Sequence, residues 1–213
     1  MTGDQHLFES NSHLMPFPEI RDEMNSVHDL VCALMTAEQA IVREMIEERD
    51  RLLAGERLVV DDYDYTDDVL PEYDAWRIPH ARRSALAMSE GAGLLLVFAF
   101  LERGLRAVCE ELESDGRVLK QFLKADKKKE QGRSTIDGYI AFLQDAKRLV
   151  FETPSTFERI RSREREVRNA FAHGDWDLTY LVAQEGEALS TLFSLTALFE
   201  RIERVFVKQR DNA

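Results

Sequence analysis

The side chains able to do chemistry concentrate in one string, FERIRSREREVRNAFAHGDWDL, which begins at Phe157. Wound as a helix at about 100° per residue, it places Phe157, Ile160, Val167 and Phe171 in one sector. Arg161, Arg165, Arg168, Asn169 and His173 fall broadly in the sector facing away. Asn169 and His173 are four apart and therefore neighbours, with Arg168 one side-chain position round from them. An imidazole that titrates near neutrality can move a proton. A guanidinium fork can hold a phosphate or stabilise its developing charge, and an amide can orient either. Those parts suit phosphodiester chemistry. With no obvious metal site, the nucleophile must already stand beside the phosphorus, as a ribose 2′-hydroxyl does in RNA. The same residues have a structural reading: a histidine at the negative end of a helix, Gly174 as its cap, and a charged face that is only solvated.

Other chemistries find little footing. The cysteines, Cys32 and Cys109, stand in apolar helical contexts without CxxC or histidine spacing, which reads as buried free thiols rather than a disulfide or zinc site. Asp61, Asp62, Asp64, Asp67 and Asp68 crowd together but lack the glycine and closing glutamate of an EF-hand loop. They read as a solvated acidic loop, or as a mask for a basic surface elsewhere. His6, His13, His28 and His80 show no ligand or triad spacing, and GxSxG, HExxH and a phosphate-cradling glycine loop are missing. No metal and no cofactor are expected. Forty acids against 28 bases give a net charge of −12, so a polyanion must meet a local basic patch. The longest uninterrupted apolar stretch, 91–101, is shorter than the roughly 20 residues that cross a bilayer, and the first residues are polar and acidic where a secretion signal starts basic. A cytoplasmic protein without a membrane partner is expected.

The elements that must position the motif are helical. Residues 1–20, with Pro16 and Pro18, read as a flexible or draped arm, and 24–55 as a long amphipathic helix. The stretch 57–83 reads as an acidic connector with a short strand at 57–60. A second long helix over 84–112 carries the stripe Leu94, Phe98, Leu101, Leu105, Val108 and Leu112. Its segment GAGLLLVFAF is apolar all round, so it belongs at the centre of a bundle, with Gly91 and Gly93 permitting close approach. A short helix at 118–124 precedes the basic run Lys127, Lys128 and Lys129, read as a solvated connector. Ser134 with Asp137 caps a third helix reaching Val150, and Thr153, Pro154 and Ser155 with Glu158 open the fourth, which stops at Gly174. The last helix occupies 187–208. Glu102 faces the site or pairs with Arg106, and Trp176 and Tyr180 pack in an interface or stack on a base. The chain reads as all-α, with no internal repeat.

Arg168-Asn169-Ala170-Phe171-Ala172-His173 resembles the signature of the HEPN superfamily, an Arg followed by a polar residue, three further residues and His, with the frequent Gly after it. The layout over 84–209 is similar too: a long apolar helix first, the motif helix late, a long helix last. The resemblance implies an up-and-down helical bundle of the HEPN type with four to five core helices over 84–213. Residues 1–83 then form an extension of arm, long helix and acidic connector. It implies a homodimer that brings two motifs together in a cleft, and a metal-independent endoribonuclease of toxin, phage-defence or RNA-processing type that leaves a 2′,3′-cyclic phosphate. On that resemblance Arg168 and His173 carry catalysis, Asn169 positions them, and Arg161 and Arg165 hold flanking phosphates. The partners implied are RNA or a nucleotide, a second copy, and an antitoxin or regulatory protein. Other members only bind nucleotides or proteins, so a non-catalytic binding module is the alternative; a third reading makes the first long helix an interaction surface.

Overall fold

Phe17, Ile20, Met24, Val27 and Val31 recur at helical spacing and are all buried, which fixes one face of helix α1 (Phe17–Leu53) in the structure, a computed structural model. It describes residues 7–113, 115–129 and 134–211, with the side chains of Lys127, Lys128, Lys129 and Arg161 outside that set. Helix α1 starts earlier than the sequence reading placed it. Pro18 stands in its first turn, where a missing N–H leaves no hydrogen bond unmade. Residues 7–16 drape over the bundle: Phe8 is buried against Phe199, and Ser10 Oγ donates to Glu203 Oε1 at 2.7 Å. Residues 1–6 lie outside the described residues.

The acidic connector is more ordered than its composition suggests. Strands β1 (Val59–Val60) and β2 (Tyr63–Asp64) form a two-residue hairpin whose turn, Asp61 and Asp62, has positive φ at both positions. Aspartate tolerates that conformation better than most residues. Asp64 accepts from the Thr66 amide, and Asp67 and Asp68 occupy the first turn of α2 (Thr66–Glu72), where the helix end favours negative charge. A π turn, Tyr73–Arg77, leads without a break into α3 (Ile78–Leu112). Pro71 lies inside α2 and Pro79 in the first turn of α3, so the stretch read as a connector is largely helical and accommodates both prolines.

Helix α3 is the central element, with Leu94, Val97, Phe98, Leu101, Leu105 and Val108 buried. Its run from Thr66 to Leu112 is long and apolar enough to cross a membrane by composition, yet 61% of the most apolar window is buried inside the bundle. Helix α1 packs along it on one side and α9 (Glu187–Asp211) on another. Helix α4 (Gly116–Lys129) and α5 (Thr135–Ala141) close one end. Ser134 caps α5, accepting from the Asp137 amide at 3.1 Å, and a π turn, Phe142–Ala146, ends it. Val150, expected on this helix, lies beyond it and is 87% exposed.

The result is an all-α helical bundle with one two-stranded hairpin. Its main core is contiguous from Phe8, Phe17 and Met24 through α3 to Phe199 and Phe206. The boundary expected between residues 83 and 84 falls inside α3, and the N-terminal segment shares the core of the rest. A smaller satellite core of Leu52, Tyr73 and Ile78, with Met45, Ile46 and Leu70 against it, lies beside the hairpin.

Candidate functional site

The motif string forms one helical run: α6 (Thr156–Arg159), a π turn (Ile160–Glu164) and α7 (Arg165–Ala172). Phe157, Ile160 and Val167 are buried as the periodicity requires, and Phe171 packs so tightly on α3 that a Cβ on Gly91 would overlap its ring. Two arginines bolt this run to the rest of the bundle. Arg159 Nε donates to Glu164 Oε1 at 2.6 Å and its Nη2 to Ser190 Oγ at 3.0 Å. Arg163 pairs with Glu187 at 3.0 Å and donates to the Val182 carbonyl. These arginines are consumed by structure, which separates them from Arg165, Arg168 and the unpaired motif groups.

The end of α7 is fixed by backbone geometry. Gly174 has φ +71°, its N–H donates to the Phe171 carbonyl at 3.1 Å, and the Asp175 N–H reaches the Ala170 carbonyl at 2.8 Å. This is a Schellman cap, with His173 as the C-cap residue just after the last helical position. Asp175 then accepts from the Leu178 amide at 3.1 Å and starts α8 (Trp176–Val182), a helix the sequence reading did not place. An Asp directly after a helix-ending glycine was the available signal.

Arg165, Asn169 and His173 line one open groove of about 520 Å³, with Glu166, Asp175 and Leu178 on its rim. None of the three makes a side-chain hydrogen bond or ion pair with a described residue. Arg168 lies one face round, in a small cavity with Phe98, Ile136, Phe157 and Ile160 that Arg165 also lines. Its guanidinium carbon stands 5.1 Å from the centre of the Phe98 ring, and its buried Nε has no hydrogen-bond partner. Burial lowers the Arg168 pKa first, the Arg165 charge lowers it further, and the Glu102 carboxylate opposes both. The sequence reading brought Arg168, Asn169 and His173 to one ligand. Within a single chain Asn169 and His173 share a groove with Arg165, and Arg168 stands behind Arg165. Arg161 lies on the π turn, its side chain outside the described residues.

Glu102 makes no salt bridge to Arg106, which bonds Glu110 at 2.8 Å; its charge acts on both Arg106 and Arg168. Trp176 packs edge-on against Phe171, ring centres 5.5 Å apart, and Tyr180 follows at 6.5 Å. Four buried acids, Glu90, Glu164, Glu187 and Glu203, went unread, and two of them bear most directly on the motif run and its neighbour. Glu164, seven residues after Phe157, lies on the buried face with 0% side-chain exposure and one unpartnered oxygen. Glu90 accepts from the Gly186 and Ala188 amides and so caps α9. Among the described residues, no group of three or more His, Cys, Asp or Glu side chains is placed to hold a metal ion. No protein-family model matches the chain, and neither does any curated protein or solved structure.

Proposed function

We propose that the protein is a HEPN-like, metal-independent endoribonuclease acting as a homodimer. The observation that carries the reading is the set of unpaired groups, Arg165, Asn169 and His173, around one open groove at the capped end of the motif helix. Their i, i+4, i+8 spacing puts the guanidinium, amide and imidazole on one helix face, and a Schellman cap fixes the backbone at the His173 end. In the proposed reaction the ribose 2′-oxygen bonds to the adjacent phosphorus and the bond from phosphorus to the 5′-oxygen breaks. The 2′-proton is removed and a proton is delivered to the leaving oxygen, with His173 serving one of these transfers and a second copy's histidine the other. Arg165 holds the phosphate as negative charge builds, and Arg168 reinforces that field from behind it. Asn169 orients the imidazole or the phosphate. Toxin, defence or RNA-processing use, with an antitoxin or regulator as partner, belongs to the same proposal, as does a cytoplasmic location.

The test is cleavage of mixed RNA by the purified protein in EDTA, with chemical identification of the new ends. Cyclic-phosphate ends are expected, and His173→Ala and Arg165→Ala each lower the rate by about 10²–10⁴-fold. Cleavage equal in the wild-type protein and both variants, or none of any RNA, overturns the enzyme.

One observation favours a second reading, a non-catalytic module that binds a nucleotide or a protein. Glu166 and Asp175 rim the groove of a chain whose net charge is already −12, and both oppose indiscriminate RNA capture. Thermal stabilisation by a nucleotide without turnover, lost in the double alanine variant, distinguishes that module from the nuclease.

A further inference from the structure

A second cleft, of about 980 Å³, lies between the far half of α1, the start of α3 and α8, and shares no lining residue with the motif groove. Trp76, on the π turn before α3, is 61% exposed. Its indole stacks on His80 with ring centres 5.1 Å apart and planes within 8° of parallel, which presents one flat π surface. Arg82 and Arg83 line the same cleft, are exposed, and make no hydrogen bond or ion pair with a described residue. Asp74, the one carboxylate among the lining residues, is already matched by Arg49 at 2.6 Å. The cleft therefore carries two guanidinium groups that are in no ion pair with a described residue, on a molecule of net charge −12. Tyr180 and Gln184 supply the opposite wall, a second ring and an amide able to read hydrogen-bonding edges.

An aromatic platform beside paired cations is the combination that takes a base together with its phosphate: stacking holds the planar ring and the guanidinium forks hold the anion. We propose that this cleft binds a nucleotide, with its base on the face of Trp76 and its phosphate at Arg82 and Arg83. A free nucleotide and one unit of an RNA strand share that chemistry. The inference goes beyond the nuclease reading and does not require it, since the motif groove contributes nothing to the site.

The chain contains two tryptophans, so a Trp176→Phe background makes Trp76 the sole indole reporter. AMP, adenosine, ribose 5-phosphate and a hexamer of adenylate RNA are titrated against its fluorescence, the hexamer on a His173→Ala version. AMP quenches Trp76 with a Kd of about 0.01–1 mM, and adenosine and ribose 5-phosphate each bind about tenfold or more weakly. Arg82→Ala with Arg83→Ala raises the AMP Kd about tenfold or more. Trp76→Ala does so in equilibrium dialysis, and Trp76→Phe restores binding because it keeps a ring. A hexamer that binds more tightly than AMP assigns the site to a strand; one that binds equally or more weakly assigns it to a free nucleotide. No saturable binding of AMP or hexamer up to about 10 mM overturns the proposal, as does a Kd unchanged in the arginine and tryptophan variants. Binding that persists in a protein with no cleavage defeats only the nuclease reading.

Discussion

Glu164 has one oxygen on Arg159 and the other unpartnered, at a position with no solvent. Desolvating that carboxylate is costly, and a single charged hydrogen bond offsets only part of the cost. The two halves of the pair should therefore respond unequally. Arg159→Ala strands a buried charge and is expected to lower stability by about 2–4 kcal/mol. Glu164→Met fills the same space with apolar atoms, while Arg159, half exposed, keeps its bond to Ser190; stability is expected to hold or rise by about 1 kcal/mol. Urea midpoints of the two variants check this ordering, and a larger loss for Glu164→Met contradicts it. Residues with motif chemistry were easier to read than this one. Asn169 and His173 announce themselves by an i, i+4 spacing that any helix preserves, whereas Glu164 stands among alternating arginines and glutamates that all look solvated. Its seven-residue step from Phe157 was visible, but which charge is swallowed by the core depends on the helix packed opposite.

At the level of elements, the motif helix is held from its own far side. Glu90 on α3 accepts two amides at the start of α9, while Arg163 on the motif run reaches Glu187 in the first turn of that same helix. Burial pushes the Glu90 pKa up more than the two amides pull it down, and Glu187 and Glu38 add to the rise. A carboxyl whose folded pKa lies above its unfolded value favours the native state most fully when protonated. Its contribution is complete below the ordinary glutamate value and is lost as pH climbs through the folded one. Stability measured by urea unfolding should fall across that window, and Glu90→Gln should flatten the fall. An identical slope in the variant counts against Glu90 as its source. Most helices were readable from their stripes and caps, Ser134 with Asp137 being the clearest. The π turns were not: an extra residue in the turn at Ile160–Glu164 re-phases the helix after it only relative to the residues before it, whereas Arg168 and His173, five apart, diverge by about 140° through the α-helical winding of α7 itself.

For the whole molecule, the core offers no seam between an extension and a bundle. Phe17 stacks edge-on to Phe206 at 5.2 Å, and Phe8, Ile20 and Met24 fill the same interior as Leu195 and Phe199. A chain beginning at Ser84 would uncover that interior, so it is expected to lose cooperative urea unfolding and near-ultraviolet dichroism; a sharp, native-like transition in the truncated chain would refute a single core. The division at residues 83 and 84 followed the extent of the HEPN resemblance, and Phe8 and Phe17, set among prolines and polar residues, gave no periodic hint that they seal the far end. The all-α character and the central place of α3 were readable because a segment apolar on every side has to be surrounded. One consequence reaches beyond the main core. The cluster of Leu52, Tyr73 and Ile78 is small, and its residues lie on α1 and on the Thr66–Leu112 run. Amide protons of the hairpin and of α2 are therefore expected to exchange with solvent through a partial opening that leaves α9 intact, so the wall bearing Trp76 should lose protection before the main core does.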